Sequence, residues 1–248
     1  YYLDADPALA AKRKLYRYYL EQLFTLAGME DAELRVDAVI ALETSMAIRH
    51  WLQADTRDPE KAYNKLTPTR LKELAPNFGW DAYLDALGFS GQSHIVVRQP
   101  TAVAGSMEAV ATAPPHVVKD YLRLQTLHAL APYLSQPFVD ANFAFQGKEI
   151  NGLLENEPEW KRGYNMLFAL MGEEVGKIYV ERFFPPEAKT AADLLVKDIL
   201  AAWDKRIQSL EWMAPQTKAR ARTKLAAMTP EIGYPRKWRD YSTLEVRR

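Results

Sequence analysis

The sequence predicts a mainly α-helical protein of about eight to ten helices with one minor, short β pairing. Apolar residues recur at steps of three and four along most of the chain, which is the spacing of one helix face. A capping residue precedes a proline, a typical helix start, at Asp6-Pro7, Asp58-Pro59 and Thr67-Pro68. Only residues 94–99, HIVVRQ, have the β-branched composition of a strand.

Two long helices are predicted first. One begins after Asp6 and ends near Gly28, a residue that favours the end of a helix. Its apolar stripe is Tyr16, Tyr19, Leu23 and Leu26. The next helix is predicted from about Asp31 to Gln53. Its inward-facing residues are predicted to be Leu34, Ala38, Ala41, Leu42 and Ser45.

Shorter elements follow in the middle of the chain. One helix is predicted from Thr67 to about Leu74, and another spans 80–87 and is closed by Gly88. A lone strand cannot satisfy its backbone hydrogen bonds. We therefore expect residues 94–99 to pair with a short strand, either within this chain or in polypeptide outside it.

A long amphipathic helix is predicted after Pro114-Pro115. Its stripe is Val117, Tyr121, Leu124, Leu127 and Leu134. Pro132 is expected to kink or shorten it, because proline lacks the backbone donor that a helix needs. A further helix is predicted over 138–146, and residues 147–157 are predicted to form a loop.

The last third is predicted to hold three helices, separated at Pro185-Pro186 and Pro215. The first of them contains Gly172 and Gly176, and each glycine costs about 1 kcal/mol relative to alanine in a helix interior. The spacing of four predicts a groove that lets another helix approach closely. The alternatives are that the glycines are merely tolerated or that they mark a helix end.

Composition limits the function classes. The 248 residues fit one large or two small domains. Lys plus Arg equals Asp plus Glu at 32 each, so no net charge favours nucleic acid. No apolar run is long enough to cross a membrane. The N-terminal YYLDADPALAAKRK is not a signal peptide, so we expect any export signal upstream of Tyr1. Without cysteine, disulfides and thiolate sites are excluded.

The sequence offers no recognisable catalytic site. None of the histidines, His50, His94, His116 and His128, belongs to a His-Glu-x-x-His motif, and no Gly-x-Ser-x-Gly or phosphate-binding loop occurs. We therefore assign no catalytic residue, no metal ligand and no substrate-binding residue. Residues 218–224 are basic and have tryptophan neighbours, but with zero net charge they favour an ordinary amphipathic helix surface over a nucleic-acid site.

Several motifs nevertheless occur in order. The longest is VGKIYVERFFPPEAK at 175–189. Further matching positions are Trp212, Met213, Thr217, Lys218, Ala221, Lys224, Leu225, Ile232 to Pro235, Trp238, Tyr241 and Ser242. Others lie upstream: Tyr1-Tyr2-Leu3, Ala41-Leu42-Glu43-Thr44, Tyr63-Asn64 and Tyr121-Leu122. Together they resemble the neprilysin and endothelin-converting-enzyme family of zinc metallopeptidases over nearly the whole chain.

The resemblance covers the N-terminal, helical part of that family. It implies a lid lobe at 1–240, and residues 241–248 as the start of a connection towards a missing C-terminal catalytic lobe. The catalytic lobe would bind zinc and hydrolyse short peptides. The lid would cap the cavity, bind no zinc and be inactive alone. The family's animal members are rich in disulfides, so the absence of cysteine implies a bacterial member. The resemblance to the family, rather than the cysteine count, implies a periplasmic or extracellular protein.

Two other readings remain open. In the first, the chain is a free-standing helical protein-interaction module without enzymatic activity. In the second, it is an enzyme whose site within these helices is not recognised. A gene that continues past Arg248 into His-Glu-x-x-His would favour the lid lobe, and a stop codon there would favour the module.

Overall fold

A computed structural model describes residues 2–245, so Tyr1 and positions 246–248 of the predicted connection lie outside the described residues. The described part contains twelve α-helices and one two-stranded antiparallel sheet. This confirms the mainly α class with one minor β pairing. The helices exceed the predicted eight to ten partly because α3 (Gln53–Thr56) and α4 (Pro59–Ala62) are single turns.

The chain divides into two compact units, unit 1 at 1–157 and unit 2 at 158–248. Besides α3 and α4, unit 1 contains α1 (Pro7–Leu26), α2 (Ala32–Ala47), α5 (Pro68–Leu74), α6 (Trp80–Ala86), α7 (Pro100–Thr112), α8 (Pro115–Leu130) and α9 (Gln136–Asn142). Its strands are β1 (Asn64–Leu66) and β2 (Ile95–Val97). Unit 2 contains α10 (Glu159–Phe183), α11 (Pro186–Ser209) and α12 (Pro215–Ala226).

The predicted caps form in unit 1. The Asp6 carboxylate accepts hydrogen bonds from the backbone N–H groups of Ala8 and Leu9, at 2.7 and 3.2 Å. Asp58 caps α4 in the same way, and the Thr67 hydroxyl accepts from the first turn of α5. Each such cap stabilises a helix by about 1 kcal/mol. The cap-then-proline pattern therefore predicted these three helix starts correctly.

The main core of unit 1 lies between α1, α2, α8 and the segment after α9. Its fully buried side chains are Tyr19, Leu20, Leu23, Phe24, Val36, Val39 and Leu124. The predicted stripe of α1 is correct at its centre, whereas Leu26 is exposed. Helix α8 ends at Leu130 and a 3-10 turn covers Ala131–Tyr133, so Pro132 does shorten the helix.

The predicted inward face of α2 is correct only at Leu42, which is buried, and at Ala38, which is partly buried. The core takes Val36, Val39, Leu42 and Glu43, whereas Leu34, Ala41 and Ser45 are exposed. Because α2 packs against α1, α7 and α8, its buried arc is set by three neighbours rather than by one apolar stripe. The small side chains of Ala38, Ala41 and Ser45 instead line an open cavity of about 760 Å³ beside α7.

Helix α2 ends at Ala47, not at Gln53 as predicted. Beyond it, the Trp51 backbone N–H donates to Oε1 of Gln99 at 3.2 Å, and the Trp51 indole donates to the Thr101 hydroxyl at 2.9 Å. These long-range contacts satisfy backbone and side-chain groups outside the helix. Tertiary structure, rather than a local stop signal, thus ends α2.

The predicted strand finds its partner within the chain. Strand β2 pairs antiparallel with β1, and Lys65 lies opposite Val96. A second, smaller core forms beside this sheet from Leu71, Ala75, Trp80 and Val97.

Helix α7 has no counterpart among the predicted elements, and the predicted loop at 147–157 is correct only from residue 151 onward. A π-helix at Phe143–Ile150 continues α9 through Gly147. A Cβ on Gly147 would overlap with Cδ2 of the Phe143 ring, so the close approach requires glycine. Helix α7 escaped prediction because its PTAVAGSMEAVAT sequence has mostly small side chains and no clear apolar stripe.

The predicted helix groove at Gly172 and Gly176 is not observed in unit 2. A Cβ on Gly172 would meet nothing within 4 Å, and one on Gly176 would contact the ring of Trp238 at 3.5 Å. Next to Gly172, Met171 has non-helical dihedrals, φ −132° and ψ 36°. Gly172 therefore lies beside a kink in α10, and neither glycine marks the end of this helix, which continues to Phe183.

Candidate functional site

The four histidines are dispersed. His50, His94 and His116 are exposed, whereas His128 is half-buried with Nδ1 3.0 Å from the Tyr19 hydroxyl. Burial lowers the pKa of His128 and favours its neutral form. Between residues 2 and 245, no three His, Cys, Asp or Glu side chains are grouped so as to hold a metal ion.

The principal polar cluster of unit 1 surrounds the carboxylate of Glu43, whose residue is only 7% exposed. The Tyr2 hydroxyl donates to Oε2 at 2.9 Å, and the Gln125 amide donates to Oε1 at 2.9 Å. The Tyr16 hydroxyl lies 3.2 Å from both oxygens. Glu43 thus ties the N-terminal segment, α1 and α8 to α2, and we call these four residues the Glu43 cluster.

The electrostatics of this cluster follow from burial. Desolvation raises the pKa of Glu43, and the three hydrogen-bond donors partly oppose that rise. The pKa values of Tyr2 and Tyr16 are also raised, first by burial and then by the Glu43 carboxylate. The tyrosines therefore remain neutral donors. Since its oxygens already accept from three side chains, Glu43 is suited to anchoring elements.

A second buried carboxylate links α2 to α8. Asp120 is 2% exposed and accepts from Arg35 of α2 at 2.7 Å and from Arg123 at 3.2 Å. The sequence analysis missed both buried acids as structural centres. A signal for Glu43 was present, because it continues the apolar steps of Val36 and Val39 at a position where a charged residue is unusual.

The structure brings together motifs that the sequence separates. Tyr2 and Glu43, from two of the family-like motifs, are hydrogen-bonded to each other. Tyr121 comes from a third motif. Burial raises the pKa of Tyr121, and the charge of the nearby Glu43 raises it further. Tyr63 of a fourth motif is exposed near β1 and does not join this cluster.

The motif at 232–235 is anchored within unit 2. The Tyr234 ring stacks on Trp238 with centroids 5.8 Å apart, and it meets Phe184 edge-on at 5.9 Å. Lys189 donates to the carbonyl of Ile232 at 2.7 Å, and its ammonium lies 4.9 Å from the Tyr234 ring centroid. The segment is therefore held against the end of α10 and the start of α11.

Comparisons with known proteins match this chain over nearly its full length. The N-terminal model of the family described as Peptidase family M13 matches residues 1–235. Endothelin-converting enzyme-like 1 of Mus musculus is 27% identical over 237 residues, which is 94% of this chain and 30% of the relative. Neutral endopeptidase of Lactobacillus helveticus is 25% identical over 85% of this chain and 32% of its own length.

Among solved structures, the zinc metalloprotease Zmp1 of Mycobacterium tuberculosis in complex with an inhibitor has a TM-score of 0.81 at 34% identity. The match covers 97% of this chain and 37% of that one. The chain thus spans about a third of the length of the curated relatives it matches. Among the described residues, no helix combines the length and apolar character that a membrane span needs.

Proposed function

The chain belongs to peptidase family M13, and from that premise we propose that it is the non-catalytic N-terminal lobe of a zinc metalloendopeptidase. The match over residues 1–235 carries the proposal, together with the 30–32% of the curated relatives' length that the matched region represents. In this proposal, the remaining polypeptide of the full-length protein holds the catalytic centre and hydrolyses peptide bonds.

Zinc belongs to the remaining polypeptide in this proposal. The part of the chain that the structure describes offers no grouping of three metal-ligating side chains, so its residues do not fit a catalytic zinc site. In a zinc peptidase the metal polarises the scissile carbonyl and activates a water molecule. The proposed role of this chain is structural, and the 248 residues alone are expected to be inactive.

The proposed lid lobe spans 1–240, and 241–248 begin the connection to the catalytic lobe. The lid caps the active-site cavity and admits short, flexible peptides while excluding folded proteins, as a lobe that closes over substrate does. The buried acids Glu43 and Asp120 connect α1, α2 and α8 of unit 1, which supports a structural role. We further propose that the full-length protein is bacterial and lies in the periplasm or the extracellular space.

A size-selection experiment tests the capping role. The full-length protein is given a quenched peptide of about ten residues, and the same sequence within an ordered loop of a folded carrier protein. We expect cleavage of the free peptide and at least about a hundredfold lower kcat/KM for the carrier, a difference of about 2.7 kcal/mol. Equal kcat/KM for both substrates would contradict the proposed sieve.

One observation favours the second candidate, a free-standing helical interaction module: unit 2 exposes large apolar side chains on α10 and α11. The two candidates differ in the size of the native polypeptide. A native protein of 28.3 kDa that ends at Arg248 would favour the module. A much heavier polypeptide that contains His-Glu-x-x-His would favour the lid lobe.

A further inference from the structure

Helix α10 is unusually apolar in its first half. The exposed side chains there are Trp160, Tyr164, Met166, Leu167, Phe168 and Leu170. At 100° per residue they cover an arc of about 200° around the helix axis. A helix that packs on a single core needs an apolar stripe of about 100°. The first half of α10 therefore has the surface of a helix that is buried on more than one side.

Helix α11 carries a second unpartnered stripe. Leu195, Ile199 and Trp203 follow one another at steps of four and are all exposed. Among the described residues of α10, α11 and α12, no side chain is fully buried. Unit 1, by contrast, has two cores of buried residues. The apolar residues of unit 2 thus lack the burial that normally stabilises helices of this length.

The lengths of the relatives indicate which polypeptide covers this apolar surface. The matched region is 30% of endothelin-converting enzyme-like 1 of Mus musculus and 37% of the solved Zmp1 chain. Proteins of this family thus carry about twice as much further polypeptide as the matched region. The apolar surface lies in residues 158–245. The family match ends within this same part of the chain, at residue 235. A covalently linked counter-surface would reach it at a high effective concentration.

We propose that the exposed apolar side chains of α10 and α11 form a docking surface for the remaining, catalytic polypeptide of the same M13 protein. The inference rests on the proposed function and adds the residues that make the contact. The counter-surface is apolar, because aromatic and aliphatic side chains gain most from losing contact with water. Lys161 and Arg162 lie just outside this apolar arc, next to its two edges.

The 248 residues contain no cysteine, so a cysteine introduced among them is the only one in this part of the protein, and its labelling can be followed by peptide mapping. Single substitutions Leu167→Cys and Ile199→Cys report on the docking surface, and Leu34→Cys is the matched control, since Leu34 is a 71% exposed helical leucine of unit 1. Each variant is made in the 248-residue chain and in the full-length protein, and is labelled with a maleimide under native conditions. Circular dichroism confirms that each variant is folded.

We expect labelling at positions 167 and 199 to be at least about tenfold slower in the full-length protein, which corresponds to about 1.4 kcal/mol. Labelling at position 34 should be unchanged. Equal rates at 167 and 199 in the two proteins would overturn the proposal. Slow labelling already in the 248-residue chain would overturn it as well, and a concentration-dependent slowing there would assign the surface to a second copy.

Zinc content and peptide hydrolysis of the same full-length samples separate the two proposals. An active, zinc-bearing protein that labels freely at 167 and 199 would refute the docking surface and leave the lid function intact. A protected but inactive protein would refute the catalytic assignment and retain the docking surface. A polypeptide that ends at Arg248 would refute both.

Discussion

At the scale of single residues, the Glu43 cluster explains how the N-terminal segment is held. A buried carboxylate is costly unless donors surround it, and Glu43 accepts from Tyr2, Tyr16 and Gln125. The sequence identified Glu43 only as part of a family motif. Its role could not be predicted from spacing, because the donors come from positions 2, 16 and 125 and meet only in the folded chain.

Replacement of Glu43 by alanine is expected to destabilise unit 1 strongly. The substitution leaves three partly buried donors without their acceptor, and a fully buried donor left unsatisfied costs about 1–3 kcal/mol. We expect the free energy of unfolding to fall by about 2–4 kcal/mol, as measured by urea denaturation. The matched control is Glu33→Ala on the same helix, whose carboxylate is exposed and pairs with Arg17.

The control should change the free energy of unfolding by less than about 1 kcal/mol, because surface ion pairs contribute little. Similar losses for Glu43→Ala and Glu33→Ala would show that the buried cluster does not stabilise unit 1.

The raised pKa of Glu43 predicts a pH dependence of stability. The folded protein holds the Glu43 proton more tightly than the unfolded chain, whose glutamates titrate near about 4.3. The stabilisation is complete below that pH and is lost as the pH rises through the folded pKa. Tyr2, Tyr16 and Tyr121 have raised pKa values and stay neutral over this range. His128, whose pKa is lowered, contributes a slope of the opposite sign, so the effect of Glu43 is measured as a difference between two proteins that both contain His128.

Glu43→Gln removes this titration while keeping the shape of the side chain. Compared with the wild type, the variant should gain relative stability as the pH rises from about 4 to 8, measured as the difference in urea midpoints. A difference that stays constant over this range would mean that the Glu43 pKa is the same in the folded and unfolded chains.

At the scale of elements, local signals predicted where helices begin better than where they end. Asp6, Asp58 and Thr67 each cap a helix as expected, because a cap and its donors lie within three residues. The end of α2 depends on Trp51 contacting Gln99 and Thr101, about fifty residues away in the chain. Long-range contacts of this kind produce no recognisable pattern in the sequence next to the helix end.

Two of the helical glycines, Gly147 and Gly172, are expected to respond oppositely to alanine. Gly147→Ala places a Cβ against the Phe143 ring and should cost about 1–3 kcal/mol. Gly172→Ala meets no atom within 4 Å and should be neutral or stabilise α10 by up to about 1 kcal/mol. Thermal unfolding of both variants checks this, and a larger loss at Gly172 than at Gly147 would contradict the packing described here.

At the scale of the whole molecule, family membership was readable from the sequence, because several motifs occur in the right order along the chain. The M13 match over 1–235 confirms that resemblance. The docking surface was not predicted. Trp160 and Trp203, for example, are exposed in this chain. Burial by another part of a polypeptide cannot be read from a helical stripe alone.

The central claim is that catalysis belongs to polypeptide beyond these residues. The most direct test measures zinc by mass spectrometry, and hydrolysis of a quenched peptide, for the 248-residue chain and the full-length protein side by side. The account predicts about one zinc per molecule and peptide cleavage for the full-length protein, and neither for the 248-residue chain. Stoichiometric zinc or peptide cleavage by the 248-residue chain alone would contradict it.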